Sequence, residues 1–553
     1  MAKAPFVFPE TGPHAIHPRK IRKMHSDEHF LSDYRYEFPR EDPDFPEVYL
    51  YTDAMSYDPG ETVEFRGSTT AEAWDIHIYR DGHAPETMHE ATGLSGSFSK
   101  TSETAYMDGC DWPVMYRWTI PPGTRSGFYR VVSTCLRKDG QRFVQHHFFT
   151  VRPTAETRQG KLLIMLATGT WTAYNDWGGA NHYFGTWGPG QDDGSPILSL
   201  QRPWTKGMLW LPKGAARVAQ RQAPDPGSAP GYPSKEWGYT YGFGQYYAAA
   251  GWAQFDRHFL VWAESQGFAP DVITQTDLHF RPDLLEGYTC LSTCGHDEYW
   301  TREMRETVEA FTESGGGFAR FGGNFLWQIR LEDEGRQQHC WKFKAPKQDP
   351  LRGQDDDRRL TASWESKEVA WPGASTVGVN GYHGMYASWG GFGPRGSRGM
   401  TVYRPDHWVF SGTDLRYADV FGAEAAIFGY EVDGLNYTFH QGLPYPVPEP
   451  GVPDNIEILA MSPAMLYEYE HPGEGVHYYL SDSDLEGMVS LAPEDHDTAR
   501  KRYQHGSGML VSMPKGKGEV VTAGTCEWVM GLTRHDPFTE AITRNVLTRF
   551  TSG

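Results

Sequence analysis

The chain has 553 residues, with 51 Lys plus Arg against 71 Asp plus Glu, a net charge of −20. That length exceeds a single hydrophobic core and predicts several domains, and the acidic balance repels a phosphate backbone, which excludes nucleic acid as a default partner. Aromatic residues are abundant (19 Trp, 30 Tyr and 29 Phe, 14% of the chain), so disorder is excluded and loop-built, ring-lined pockets are expected among the 61 Gly and 38 Pro.

Residues 1–45 are polar and Pro-rich and read as an extended arm. From 46 to 153 the period changes to 2. Segments 47–53 (EVYLYTD), 62–66 (TVEFR), 74–80 (WDIHIYR), 115–119 (MYRWT), 128–134 (FYRVVST) and 143–151 (FVQHHFFTV) each predict a strand. Turn signals separate them, among them Asp58-Pro59-Gly60 and Pro121-Pro122-Gly123. Short, alternating strands at this spacing predict a β-sandwich of immunoglobulin-like type.

From 160 to 348 the rhythm is strand–helix–strand. Segment 161–167 (KLLIMLA) is a continuous apolar run, the pattern of a strand buried on both faces. Phe255, Phe259, Trp262 and Ala263 share one helical stripe and predict a helix over 253–266. Segments 271–275 and 288–294 predict two more strands, Met304, Val308 and Phe311 mark a helix from near Thr301 to Gly315, and 318–321 is another short strand. Such alternation predicts a parallel sheet with right-handed crossovers. Residues 349–491 are Gly-, Pro- and aromatic-rich and read as a β-rich insertion. Residues 492–553 return to α/β character, with a strand at 519–523 and a helix opened by Asp536-Pro537. No apolar run reaches the ~20 residues of a membrane span. No apolar signal region follows Met1, and six scattered Cys form no disulfide framework, so a cytoplasmic protein without membrane contact is expected.

Two motif matches carry little weight. Gly391-Phe-Gly393-Pro-Arg-Gly396 fits the dinucleotide-binding string but holds Pro394 and lacks a flanking strand and helix. His25-Ser-Asp-Glu28-His29 fits a metalloprotease string but lies in the polar arm. Three other segments stand where open α/β sheets bind ligands, beyond the carboxyl ends of predicted parallel strands. They are Thr168 to Gly179 (TGTWTAYNDWGG), Cys294 to Trp300 (CGHDEYW) and Gly322 to Trp327 (GGNFLW).

Within them, Trp171-Thr-Ala-Tyr174-Asn175-Asp176-Trp177-Gly178-Gly179, His296-Asp297-Glu298-Tyr299-Trp300 and Gly322-Gly323-Asn324-Phe325 resemble the large subunit of N,N-dimethylformamidase and its relatives. Thr276-Asp277-Leu278-His279, Gly429-Tyr430-Glu431-Val432-Asp433 and Asn545-Val546-Leu547 add to the likeness, which runs from about residue 161 to the end. The resemblance implies a multidomain α/β plus β architecture: the sandwich, then a class I glutamine-amidotransferase-like (flavodoxin-like) parallel α/β domain with the β-rich insertion. It implies a metal-dependent amidohydrolase that cleaves the C–N bond of a small N-alkylated amide. The cofactor it implies is one mononuclear ferric iron held by two tyrosinates and a glutamate. A small companion subunit completes the type member, and a homo-oligomer is expected. That chemistry is coherent: ferric iron is a hard acid that prefers oxygen, and a metal acidifies bound water and polarises an amide carbonyl.

By the same resemblance Tyr299 leads the metal ligands, with Tyr174 and Glu431 beside it. Tyr247 and His258 are further candidates, because no motif places the second tyrosinate. The family's glutamate stretch corresponds here to Val379-Asn380-Gly381-Tyr382-His383-Gly384-Met385-Tyr386, which contains no Glu, so His383 or Tyr382 stands in the frame as a substitute. His296 and Glu298 are candidates for acid/base work, His383 joins them, and Asn324 is a candidate donor to a developing oxyanion. Two rival readings remain. Cys294 with His296 could supply a cysteine nucleophile, although Ser292 stands where such an elbow has Gly. A non-catalytic carbohydrate-binding protein could use the Trp-rich surface.

Overall fold

The structure is a computed structural model that describes residues 21–23, 33–35, 37–185, 194–217, 233–354, 356–383, 398–465 and 482–552. The His25–Glu28–His29 string and the Gly391–Gly396 string lie outside the described residues.

Eight strands between Val48 and Val151 make two sheets. Three strands (Val48–Thr52, Thr62–Thr69, Val114–Thr119) form one, and five (Ser56–Tyr57, Trp74–Asp81, Glu86–Leu94, Gly127–Leu136, Arg142–Val151) form the other. Alternation explains their packing: Val63 and Phe65 from one sheet meet Trp74, Ile76, Tyr129, Val131 and Phe149 from the other in a single apolar core.

The centre of the molecule is a nine-stranded mixed sheet. Five parallel strands come first, in the order Asp271–Thr274, Leu162–Leu166, Cys290–His296, Gly317–Gly323, Gly518–Ala523. Four antiparallel ones continue it: His505–Lys515, Glu457–Met465, Met400–Val402 and Val420–Phe421. The last three belong to the stretch expected as a β-rich insertion, and they extend this sheet. Burial on both faces accounts for the apolar run at Leu162–Leu166: Leu162, Ile164 and Leu166 enter one hydrophobic cluster while Leu163 and Met165 enter the other.

Local chemistry sets the helices. Thr301 caps Arg302–Ser314, its hydroxyl accepting from the Met304 amide at 3.2 Å, and Gly315 ends it at φ 124°. The expected helix over 253–266 is instead a π-turn, Trp252–Asp256, that runs into an α-helix, Arg257–Ser265. The sandwich holds this π-turn from outside. Phe128 stacks on Trp252 with ring centroids 3.8 Å apart, and Asp81 accepts from Trp252 Nε1 at 2.9 Å.

Candidate functional site

The carboxyl ends of the parallel strands converge on one buried polar cluster. The strand Cys290–His296 delivers His296 at its last residue, and the chain turns directly into Tyr299–Thr301, which pairs in parallel with Trp327–Glu332 in a second, four-stranded sheet. Glu298 is fixed between these two strands, its amide donating to Thr170 Oγ1 at 2.9 Å and its carbonyl accepting from the Trp327 amide at 2.9 Å. Two glycines permit the approach. Gly295 has φ 72°, and a Cβ there would lie 2.2 Å from Phe255 Cβ; a Cβ at Gly323 would lie 2.3 Å from the Glu431 carbonyl oxygen.

Thr168 to Tyr174 is a short helix, and Tyr174 is its last residue. Tyr183 follows on a turn held by Asn181 Oδ1, which accepts from the amides of Tyr183 and Phe184 at 2.8 and 2.9 Å. These pieces place two phenols on one carboxylate and a third phenol beside them. Tyr174 Oη donates to Glu298 Oε2 at 3.1 Å, Tyr183 Oη lies 3.1 Å from each Glu298 oxygen, and Tyr183 Oη is 2.8 Å from both Tyr174 Oη and Tyr299 Oη. Tyr174 and Tyr299 are fully enclosed, and Lys342 lays its ammonium 3.2 Å from the Tyr183 ring centroid.

Beside the phenols sits a second layer. His296 Nδ1 donates to the Ala249 carbonyl at 2.7 Å, which leaves Nε2 between Glu298 Oε2 at 3.2 Å and Glu431 Oε2 at 2.6 Å. Asn324, in the left-handed region at φ 64°, donates from Nδ2 to Glu431 Oε2 at 2.8 Å, and its Oδ1 is buried without a partner. Cys526 adds a thiol: its sulfur, a Glu431 oxygen and a His296 nitrogen all lie within 4.8 Å of one another.

Charge follows from burial and pairing. Burial disfavours the His296 imidazolium, yet Glu431 and Glu298 overcome it and push the ring up to about 10, so it is protonated at neutral pH. Glu298 is buried too, but the hydrogen bond and charge of His296 hold it below the usual carboxylate range. Glu431 is raised by burial, with the charge of Glu298 adding to it. Burial and then the charge of Glu298 drive the Tyr174 and Tyr299 phenols well above 10.

The structure thus brings together Tyr174, His296, Glu298, Tyr299, Asn324 and Glu431. It does not bring in the other candidates. His383 packs its ring on Tyr503 at 5.7 Å, Tyr382 hydrogen-bonds Ser363, and Tyr247 Oη donates to the Ala216 carbonyl at 2.5 Å. His258 stands on the Arg257–Ser265 helix, its ring held down to about 3 by burial. Tyr183 and Lys342 escaped the sequence reading. The Asn181-x-Tyr183 turn directly after the Gly178-Gly179 motif is the one local signal that pointed to Tyr183.

Fold and site together define a mixed α/β protein with several sheets, whose parallel strand ends enclose a centre of phenols and carboxylates. The chain belongs to the family "N,N-dimethylformamidase beta subunit-like, C-terminal", whose model matches residues 75–540. That match begins inside the sandwich, earlier than the point where the sequence motifs start. The family takes its name from an amide-cleaving enzyme. No curated protein sequence matches the chain. Solved structures similar to part of it include Spo0M, a sporulation control protein from Bacillus subtilis, at 16% identity and TM-score 0.15, over 20% of this chain and 50% of that one. The soluble domain of PmoD from Methylocystis sp. ATCC 49242 (Rockwell) aligns at 12% identity and TM-score 0.13, over 20% of this chain and 91% of that one. Murine CRIg aligns at 11% identity and TM-score 0.14, over 19% of this chain and 97% of that one. No helix among the described residues is long and apolar enough to cross a membrane.

Proposed function

We propose that the chain is a metal-dependent amidohydrolase that cleaves the C–N bond of a small N-alkylated amide such as a formamide, with a companion subunit of the kind its family's name implies. The observation that carries this reading is the convergence of the Tyr174 and Tyr183 hydroxyls on Glu298, with the Tyr299 hydroxyl joined to them through Tyr183 Oη at 2.8 Å. Two buried phenols and a half-buried one beside a buried carboxylate are an all-oxygen donor set, and such a set fits a hard trivalent cation such as Fe3+ better than a soft one. Burial and the charge of Glu298 hold the Tyr174 and Tyr299 phenols well above their ordinary value, so their ionisation requires a nearby cation. In this reading Glu298 is the carboxylate ligand, with two of the three tyrosines, and Glu431 belongs to the proton-handling layer. Bound there, the metal supplies Lewis acidity and an acidified water.

The remaining work falls to the chain's own groups. Glu431 Oε2 and His296 Nε2 share a proton at 2.6 Å, so the pair can take a proton from the attacking water and deliver it to the departing nitrogen. Donation from His296 Nδ1 to Ala249 fixes the ring so that Nε2 faces the carboxylates. Asn324 orients Glu431, and its unpartnered Oδ1 suits a water or the leaving amine as donor. The rings of Tyr174, Tyr183, Tyr246 and Phe184, packed at centroid distances of 4.6–6.0 Å, form an apolar wall suited to N-alkyl groups.

A second metal position has a specific observation in its favour, the His296–Glu431–Cys526 triplet, whose softer donors suit zinc. Cys526→Ser separates the two: metal content unchanged supports the phenol site, and metal lost supports the triplet. The cysteine-nucleophile reading has a physical obstacle, because burial and the charges of Asp256 and Asp297 push the Cys294 thiol well above its ordinary value. The experiment that tests the proposal is amide hydrolysis by the purified chain, assayed over formamides and acetamides before and after chelation. Activity that survives complete metal removal would sink it. We assign the sandwich as immunoglobulin-like and the parallel sheet as amidotransferase-like, with a boundary near residue 153, on the two-sheet core and the strand order; the strands between 400 and 465 join the same sheet, so the strand order gives no support to a boundary near 349.

A further inference from the structure

Behind the site lies an ion triad that the proposed reaction does not use. Arg320, midway along the strand Gly317–Gly323, is wholly buried, and so are Asp297 and Asp433. Its Nε lies 3.3 Å from Asp297 Oδ2 and its Nη1 2.7 Å from Asp433 Oδ2. Asp297 is the residue between His296 and Glu298, and it also accepts from Trp300 Nε1 at 2.8 Å and Gln275 Nε2 at 3.2 Å. Asp433 lies two residues beyond Glu431, and its carboxylate oxygens accept from the Phe325 amide at 3.1 and 3.2 Å, which pins the strained turn at Asn324.

We propose that Arg320, through Asp297 and Asp433, is the positioning residue that sets the spacing of Glu298, His296, Asn324 and Glu431. A single guanidinium thereby ties together three of the chain segments that carry the site, those of Glu298, Asn324 and Glu431. Net stability is a poor reason to keep such a group, since buried ion pairs seldom beat well-packed apolar side chains. Geometry is a better one. The planar guanidinium fork holds two carboxylates at fixed angles, and an ammonium on a flexible stem does not. The triad touches none of the phenol hydroxyls, so it acts through the backbone of its neighbours. The inference rests on the proposed amidohydrolase reading for its catalytic consequence, though not for the geometry itself.

The test uses the full chain with Arg320→Lys and Asp433→Asn, the second chosen because Asn keeps an acceptor for the Phe325 amide. Both variants are expected to keep the wild-type circular dichroism spectrum and a cooperative melt. A displacement of the order of 1 Å at the reacting groups should lower kcat by about 100-fold while KM changes little. A readout independent of metal and turnover is the downfield proton resonance of the His296–Glu431 hydrogen bond in metal-free protein, assigned by its loss in His296→Asn. It should shift or vanish in both variants. A wild-type resonance together with wild-type kcat would overturn the proposal, as would failure of both variants to fold, which would make the triad a plain structural element. If wild type itself lacks metal and amidase activity, the functional reading fails, while the resonance still decides the triad.

Discussion

Replacement of Tyr183 by Phe removes one oxygen from the middle of the cluster and leaves the packing in place. The Lys342 ammonium sits 3.2 Å from the ring centroid, and a Phe ring preserves that contact. The lost hydroxyl lies within hydrogen-bonding distance of four atoms: Tyr174 Oη and Tyr299 Oη at 2.8 Å and both Glu298 oxygens at 3.1 Å. It has one proton to give, so one charge-assisted bond is lost, worth about 1.5–3 kcal/mol. Tyr299 Oη also loses this buried partner, at a further cost of about 1–3 kcal/mol. Metal-free Tyr183→Phe should therefore unfold roughly 2.5–6 kcal/mol more easily in denaturant. Second-layer residues of metal sites typically contribute about 10–100-fold in affinity, so the variant should bind metal at least ~10-fold more weakly, and more than ~100-fold where Tyr183 is one of the two ligating tyrosines. The assay is iron content with visible absorption of the phenolate-to-metal band. A variant with wild-type iron, band and stability would refute the reasoning for Tyr183.

Glu431→Gln should keep the metal and its colour but lower kcat by about 100- to 10,000-fold, because the proton shared with His296 is lost; loss of metal instead would make Glu431 a ligand. Cys294→Ser should retain activity within a few-fold in a steady-state assay, since burial makes that thiol a poor nucleophile. Glu365 offers a pH test remote from the phenols. Burial raises it from 4.5 to about 8, so the folded chain keeps a proton that the unfolded chain releases. Between pH 4.5 and 8 that group makes stability fall as pH rises, by about 1.4 kcal/mol per unit. Glu365→Gln should flatten that fall in denaturant melts at pH 5 and pH 8, and an unchanged slope would contradict the buried, protonated state.

Much of the frame was legible because burial imposes period. The run at Leu162–Leu166 and the alternation of Trp74–Asp81 follow from which faces meet a core. The strand Glu86–Leu94 escaped, since its largely exposed, polar pattern carries no apolar stripe. The helix Thr168–Tyr174 read as a loop because Thr-Gly-Thr is poor helix material; tertiary enclosure of every residue overrides that propensity. The site was legible wherever motif residues stand at strand ends, as with His296, Glu298, Tyr299 and Asn324. Tyr183, Lys342 and Arg320 were not, because they reach the cluster by turn and topology, and no spacing in a single sequence encodes that arrival.

The central claim is that a hard metal sits among Tyr174, Tyr183, Tyr299 and Glu298 and drives amide hydrolysis. Elemental analysis with visible absorption of purified wild type and Glu298→Gln, each assayed on small formamides, tests it most directly. Stoichiometric iron with a phenolate band and amidase activity in wild type, all lost in Glu298→Gln, is the predicted result. Full iron content, colour and activity in the variant, or hydrolysis by a metal-free wild type, would contradict it.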